Sequence, residues 1–221
     1  MERKNARDDE RQYSRRCEIL SDVVDASSEQ LRAYENEIES DSEFLDEFQR
    51  RRDEIQDAAE SAGGDSNVED AITLYVLVRA TEPDAVLQTG VLYGVFDAYV
   101  CRALDRNGHG TLHSIDLPND EYENGYYVPE WLRGDWNLHL GDVDELLPAL
   151  LDEIGSIDLF IHDSHHTPNH MTWEYETAFP SLSSTGYLAT HDVDFTNSFD
   201  DFTTERSLSN AKIASIGVAR K

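Results

Sequence analysis

Residues Asp84 to Gly94 join a short apolar run to a loop holding two glycines, and no other stretch constrains the fold as much. An apolar run of this length suits a buried strand, and beyond it Phe96, Val100, Ala103 and Leu104 recur at helical spacing. The order is strand, glycine loop, helix. Glycines at such a junction let backbone N–H groups approach a ligand, and the helix N-terminus adds partial positive charge. By itself the glycine spacing fits a tight strand-to-helix turn equally well. A second apolar stretch, Thr111 to Ile115, ends in Asp116, close to the separation of about 20 residues at which dinucleotide folds place a ribose-binding carboxylate. Loop and carboxylate together favour a cofactor carrying adenosine.

The same pattern continues along the chain. Strands are expected at Ala85 to Thr89, Thr111 to Ile115, Asn137 to Leu140, Ile157 to Ile161 and Tyr187 to Thr190, with helix-like segments between them. A helix-like stretch, Ser198 to Arg206, and one further strand, Lys212 to Val218, close the sequence. Such alternation builds an α/β fold with a doubly wound, mostly parallel sheet and helices on both faces. Residues 1–66 form an N-terminal helical extension, strongly charged but carrying Leu31, Tyr34, Ile38, Phe44, Leu45, Phe48 and Ile55, with Ser42 the candidate cap of a helix. Its plain reading is a solvated helical cap, the alternatives being a substrate lid or a dimer arm. Ala62 to Ser66 is the clearest linker, and Asn67 opens the helix that begins the main domain, residues 67–221.

Charge narrows the partners. Among 221 residues, 46 are aspartate or glutamate against 18 lysines and arginines, a formal net charge of -28. Nucleic-acid phosphates would be repelled. Apolar residues at 39% favour a folded chain over a disordered acidic one, and the acid-rich, lysine-poor composition resembles that of halophilic archaeal proteins, whose self-repulsion molar salt screens. A cytoplasmic protein is expected. Cys17 and Cys101 form no metal-type pair and imply no disulfide framework, and no apolar segment reaches a membrane span of about 20 residues.

The densest chemistry is His162, Asp163, Ser164, His165 and His166, matched one strand later by His191 and Asp192. Both groups follow carboxyl ends of adjacent expected strands, so the sheet would bring Asp163, His191 and Asp192 together as a metal-binding set. Two carboxylates and an imidazole fit manganese, iron or zinc better than magnesium. His166 is the candidate base, with His165 second, whereas His162 is expected to point to the opposite, buried face. Pro118 to Trp136 is a long connection rich in aromatics, Tyr122, Tyr126, Tyr127, Trp131 and Trp136, which would either cover the site or pack onto the body. Asp142 suits a helix cap and, in this fold context, an adenine amino group as well.

Taken together, Val86 to Phe96, Asp116, Asp142 and the His-Asp-Ser-His-His cluster resemble a class I S-adenosylmethionine-dependent methyltransferase from about Asn67 to Lys221. Within that family the chain looks closest to metal-dependent small-molecule and sugar O-methyltransferases. The resemblance implies a Rossmann-like fold, S-adenosyl-L-methionine and a divalent metal as cofactors, and O-methylation of a small-molecule acceptor such as a sugar. It also implies that Gln88, Gly90 and Gly94 line the methionine part of the cofactor, Asp116 holds the ribose hydroxyls, Asp142 sits near adenine, and Asp163, His191 and Asp192 take the metal positions. Gln88 stands where the family usually has glutamate, His191 where it more often has aspartate, and the single closing strand implies a reduced sheet edge. A weak cofactor-binding module and a metal-dependent hydrolase are the alternative readings, and a homo-oligomer is compatible with either.

Overall fold

The computed structural model describes residues 6–61 and 67–221; the Ala62 to Ser66 linker lies outside the described residues. The apolar runs become β1 (Ala85–Thr89), β2 (Thr111–Asp116), β3 (Trp136–Leu140), β4 (Ile157–His162), β5 (Leu182–Thr190), β6 (Ser209–Ile213) and β7 (Ile216–Arg220). They form one seven-stranded sheet in the order β3-β2-β1-β4-β5-β7-β6. All neighbours run parallel except β7, which is antiparallel to β5 and β6. The strand order reverses between β1 and β4, and open α/β sheets offer a ligand crevice beyond the carboxyl ends at such a point.

The helices are α1 (Ala6–Tyr13), α2 (Arg16–Leu20), α3 (Ser28–Glu39), α4 (Ser42–Ser61), α5 (Val68–Thr81), α6 (Val95–Asn107), α7 (Val143–Ile154), α8 (Pro168–Ala178) and α9 (Ser198–Arg206). Successive strand residues face opposite ways, so two cores form. Val86, Leu112, Leu159 and Ile161 pack with residues of the N-terminal helices, α5 and α6. Leu87, Ile115, Phe160 and Leu188 pack with residues of α7, α8 and α9. Nine consecutive residues of α5, Asp70 to Val78, are buried, as expected of a helix covered on every side.

Three sequence expectations change here. The N-terminal extension is a layer of the core rather than a solvated cap, because Leu20, Leu31, Ile38 and Phe44 are fully buried in the cluster that holds α5 and α6. Phe44 also meets the Tyr99 ring edge-on at 5.0 Å, and buried Asp41 pairs with Arg102 at 2.7 Å. Asp41 rather than Ser42 caps α4, accepting a hydrogen bond from the Phe44 amide at 3.3 Å. Finally, the closing strand is a hairpin, so the sheet edge is not reduced. Ile213 pairs with Ile216, leaving Ala214 and Ser215 as the turn, and Ala214 takes the positive φ of 50° that glycine or asparagine usually supplies.

Candidate active site

Every site-bearing loop is tied to its neighbour by backbone hydrogen bonds just past the strand ends. The Gly90 amide donates to the Ile115 carbonyl at 2.9 Å, Asp163 to Thr89 at 2.8 Å, His191 to His162 at 2.9 Å and Gly141 to Asp116 at 2.9 Å. These bonds hold the loops in sheet register. They open onto one cleft of about 720 Å³, within the usual span of small-molecule sites.

One wall of the cleft is the glycine loop. Gly90 (φ 82°), Leu92 (φ 51°) and Gly94 (φ 84°) all adopt left-handed backbone, which turns the amides of Val91 and Leu92 toward the Asp116 carboxylate. Asp116 Oδ2 accepts from Val91 at 3.1 Å, Leu92 at 2.8 Å and Asn124 Nδ2 at 2.9 Å. Its Oδ1 accepts, among the described residues, the Leu117 amide at 2.7 Å, and one donor leaves acceptor capacity on that oxygen. Asp142 caps α7 through the Asp144 amide at 2.9 Å and also lines the cleft.

Gln88 and Gly94, expected in the cofactor lining, stand behind it instead. Gln88 is fully buried, and its Nε2 donates to the Gly90 carbonyl and to Asp97, both at 2.9 Å. Asp97 is a buried carboxyl that sequence reading did not single out. Burial pushes it up to about 7, against hydrogen bonds from Ser114 and Gln88. Gly94 starts α6, where a Cβ would come within 2.7 Å of Gly125 Cα; its role is to let the aromatic connection seat on the loop. That connection mostly packs onto the body. Tyr127 is buried against Tyr93 and Phe48, Trp136 donates to Ser114 Oγ at 3.1 Å, and of the five aromatics only Tyr122 lines the cleft.

The opposite wall gathers the expected cluster, because β4 and β5 are adjacent with His162 paired to Thr190. His191 Nδ1 lies 2.6 Å from Asp163 Oδ1. His166 Nε2 lies 3.4 Å from Asp192 and 3.7 Å from Asp163. Burial lowers the His166 pKa below its ordinary value, despite both carboxylates. Burial would also lower His191, but Asp163, with Asp70 and Asp192, pushes it up to about 10.

One carboxylate oxygen and two imidazole nitrogens, from Asp163, His166 and His191, fall within 4.8 Å of one another. That donor set suits a borderline divalent cation such as manganese, iron or zinc. The tightest set therefore includes His166, which sequence reading assigned to proton transfer, while Asp192, expected as a ligand, sits beside it. His165 is exposed on the cleft wall. His162 is fully buried, as expected, and its Nδ1 meets Glu174 Oε2 at 2.7 Å.

Glu174, on α8, is a buried node that the sequence pattern did not reveal. It accepts hydrogen bonds from Thr89 and Ser164, and its Oε1 meets His170 Nε2 at 2.9 Å. These bonds fasten the loop carrying Asp163, His165 and His166 to the helix beneath it. Cys17 and Cys101 are both free and buried, and no helix among the described residues is long and apolar enough to cross a membrane.

No curated protein matches the chain, but residues 87–193 match a family described as a methyltransferase domain. Three solved structures share the fold. A Podospora anserina methyltransferase bound to S-adenosylhomocysteine is 12% identical, with 80% of this chain and 86% of that one covered and a TM-score of 0.62. A Bacillus cereus O-methyltransferase, also with S-adenosylhomocysteine, is 13% identical over 78% and 91% of the two chains, TM-score 0.62. The Streptomyces achromogenes O-methyltransferase of tomaymycin synthesis, with S-adenosylmethionine, is 16% identical over 71% and 81%, TM-score 0.60. Residues 87–193 thus match the methyltransferase-domain family, and the chain has the Rossmann-like fold of these methyltransferase structures.

Proposed function

We propose that this chain transfers the methyl group of S-adenosylmethionine to a hydroxyl oxygen of a small molecule, such as a sugar, with a divalent cation at the histidine–aspartate cluster. One observation carries the reading: a single cleft has Asp116 and Asp142 on one side and Asp163, His166, His191 and Asp192 on the other. Asp116 Oδ1 would accept the ribose hydroxyls and Asp142 the adenine amino group. The bare Cα of Gly90 lets the glycine loop lie against the Asp163 backbone, which brings the two sides of the cleft together. The acceptor oxygen attacks the methyl carbon in line with the sulfur, so that the O–C bond forms as the S–C bond breaks and its electron pair stays on S-adenosylhomocysteine. The fold supplies proximity for that displacement.

A cation held by Asp163, His166 and His191 would acidify the acceptor hydroxyl as a Lewis acid. His166 acts as a ligand in this reading, since its Nε2 faces the carboxylates, and the hydroxyl proton passes to solvent-exposed His165. The test is transfer of labelled methyl groups from S-adenosylmethionine to sugars and phenols in molar KCl, with and without chelator, beside calorimetric Mn²⁺ titration of His166→Ala. Chelator should abolish transfer, and the variant should bind Mn²⁺ at least about tenfold more weakly. Transfer untouched by chelator would remove the cation from the reaction. Normal Mn²⁺ affinity with slowed transfer would make His166 the base.

A further inference from the structure

The contacts around His191 extend beyond the cleft residues. With Nδ1 against Asp163, the ring presents Nε2 to two further carboxylates at 3.7 Å each, Asp192 Oδ1 at the cleft and Asp70 Oδ2 behind it. Asp70 is on α5 and fully buried, and this oxygen accepts no hydrogen bond from the described residues. The other oxygen is satisfied. Asp70 Oδ1 accepts from the Tyr13 hydroxyl at 2.9 Å, and that hydroxyl in turn accepts from Asn67 Nδ2 at 2.9 Å. A buried carboxylate oxygen without a donor is costly, and the nearest ring nitrogen that offers one is His191 Nε2. The Phe96 ring, edge-on to the imidazole at 5.0 Å, packs apolar surface against the same ring.

We propose that Asp70 is a positioning residue of the cation site, acting through His191. It accepts the Nε2 proton and so fixes the tautomer in which Nδ1 is free to bind a cation with Asp163 and His166. A carboxylate on the far nitrogen of a metal-binding histidine orients the ring and raises its basicity. Tyr13 belongs to α1, so the N-terminal helices take part in the site: the hydroxyl holds the carboxylate by Oδ1 and leaves Oδ2 for His191. The proposal rests on reading the cluster as a cation site.

Calorimetric titration of Mn²⁺ into the full chain in molar KCl tests it, with wild type, Asp163→Asn, Asp70→Asn and Tyr13→Phe compared and folding checked by near-UV circular dichroism. Asp70→Asn is expected to bind Mn²⁺ about tenfold or more weakly than wild type, and to shift the visible spectrum of the Co²⁺-loaded protein, which a purely structural residue would leave alone. Tyr13→Phe should weaken Mn²⁺ by about threefold. A folded Asp70→Asn with wild-type affinity and spectrum overturns the role of Asp70, and weakened binding in Asp163→Asn would then leave the cation site standing. If Asp70→Asn does not fold, unchanged affinity in Tyr13→Phe overturns the proposal and weakened affinity supports it. Wild type that binds no Mn²⁺ removes the cation site and this proposal with it.

Discussion

Glu174→Leu should lower the free energy of unfolding by about 3–5 kcal/mol, the usual cost of removing one partner from a buried charged network. Leucine fits the space but accepts nothing, so Thr89 and His162 would lose their partner Oε2, and Ser164 and His170 their partner Oε1. The group is fully buried, so molar salt should not hide the effect as it would for a surface pair. A pH signature accompanies it. Burial alone would raise the Glu174 pKa, but hydrogen bonds from His162, His170 and Ser164 hold it at about 2. A depressed carboxyl stabilises the fold above its unfolded value and loses that contribution as pH falls toward the folded one, here about 3 kcal/mol fading between roughly pH 5 and 2. Denaturant unfolding across that range should show the variant and wild type converging at low pH. A loss under about 1 kcal/mol at pH 7 would mean that Glu174 does not carry the network.

Gly90→Ala should be comparably damaging, for a steric reason. The residue sits at φ 82°, and a Cβ there would lie 2.1 Å from the Asp163 carbonyl oxygen and 2.5 Å from its carbon. Both obstacles are backbone, so relief requires parting the ends of β1 and β4, where the Asp163 amide bonds to Thr89. Left-handed strain and the clash together should cost about 3 kcal/mol or more. They should also weaken S-adenosylmethionine binding about a hundredfold, since the loop and the cluster share that seam. Gly134→Ala is the control, because nothing lies within 4 Å of its added carbon. Thermal unfolding and cofactor titration of the two variants would decide it, and a Gly90→Ala protein as stable as Gly134→Ala would contradict the geometry.

The sheet is legible in the sequence because central parallel strands are buried on both faces and read as bounded apolar runs, as in Ala85 to Thr89 and Ile157 to Ile161. Strand adjacency then suffices to bring Asp163 beside His191 and Asp192. The closing hairpin is not legible, since its turn is Ala214 and Ser215 and carries none of the usual glycine or asparagine. The buried polar residues are hidden for another reason. Asp70 and Glu69 both look like acids at a helix start, yet Asp70 is fully buried, and helical periodicity does not say how deep a face lies once a helix is covered all round. Glu174 and Asp97 are hidden in the same way. Each looks like a solvated acid among many, in a chain where acids outnumber bases, and only the tertiary packing of α8 and α6 shows them inside. The N-terminal helices present the reverse case: their charge suggests a solvated cap, but Leu31, Ile38 and Phe44 complete the core.

Asp116 is expected to anchor an S-adenosylmethionine site beside the histidine–aspartate cluster. Calorimetric titration of S-adenosylmethionine into wild type and Asp116→Ala, both in molar KCl, tests it most directly. Wild type should bind, and loss of the carboxylate that meets the Val91, Leu92 and Leu117 amides should weaken binding at least about tenfold, or 1.4 kcal/mol. Folded wild-type protein that takes up no S-adenosylmethionine, or an Asp116→Ala variant that binds it as tightly as wild type, would contradict the account.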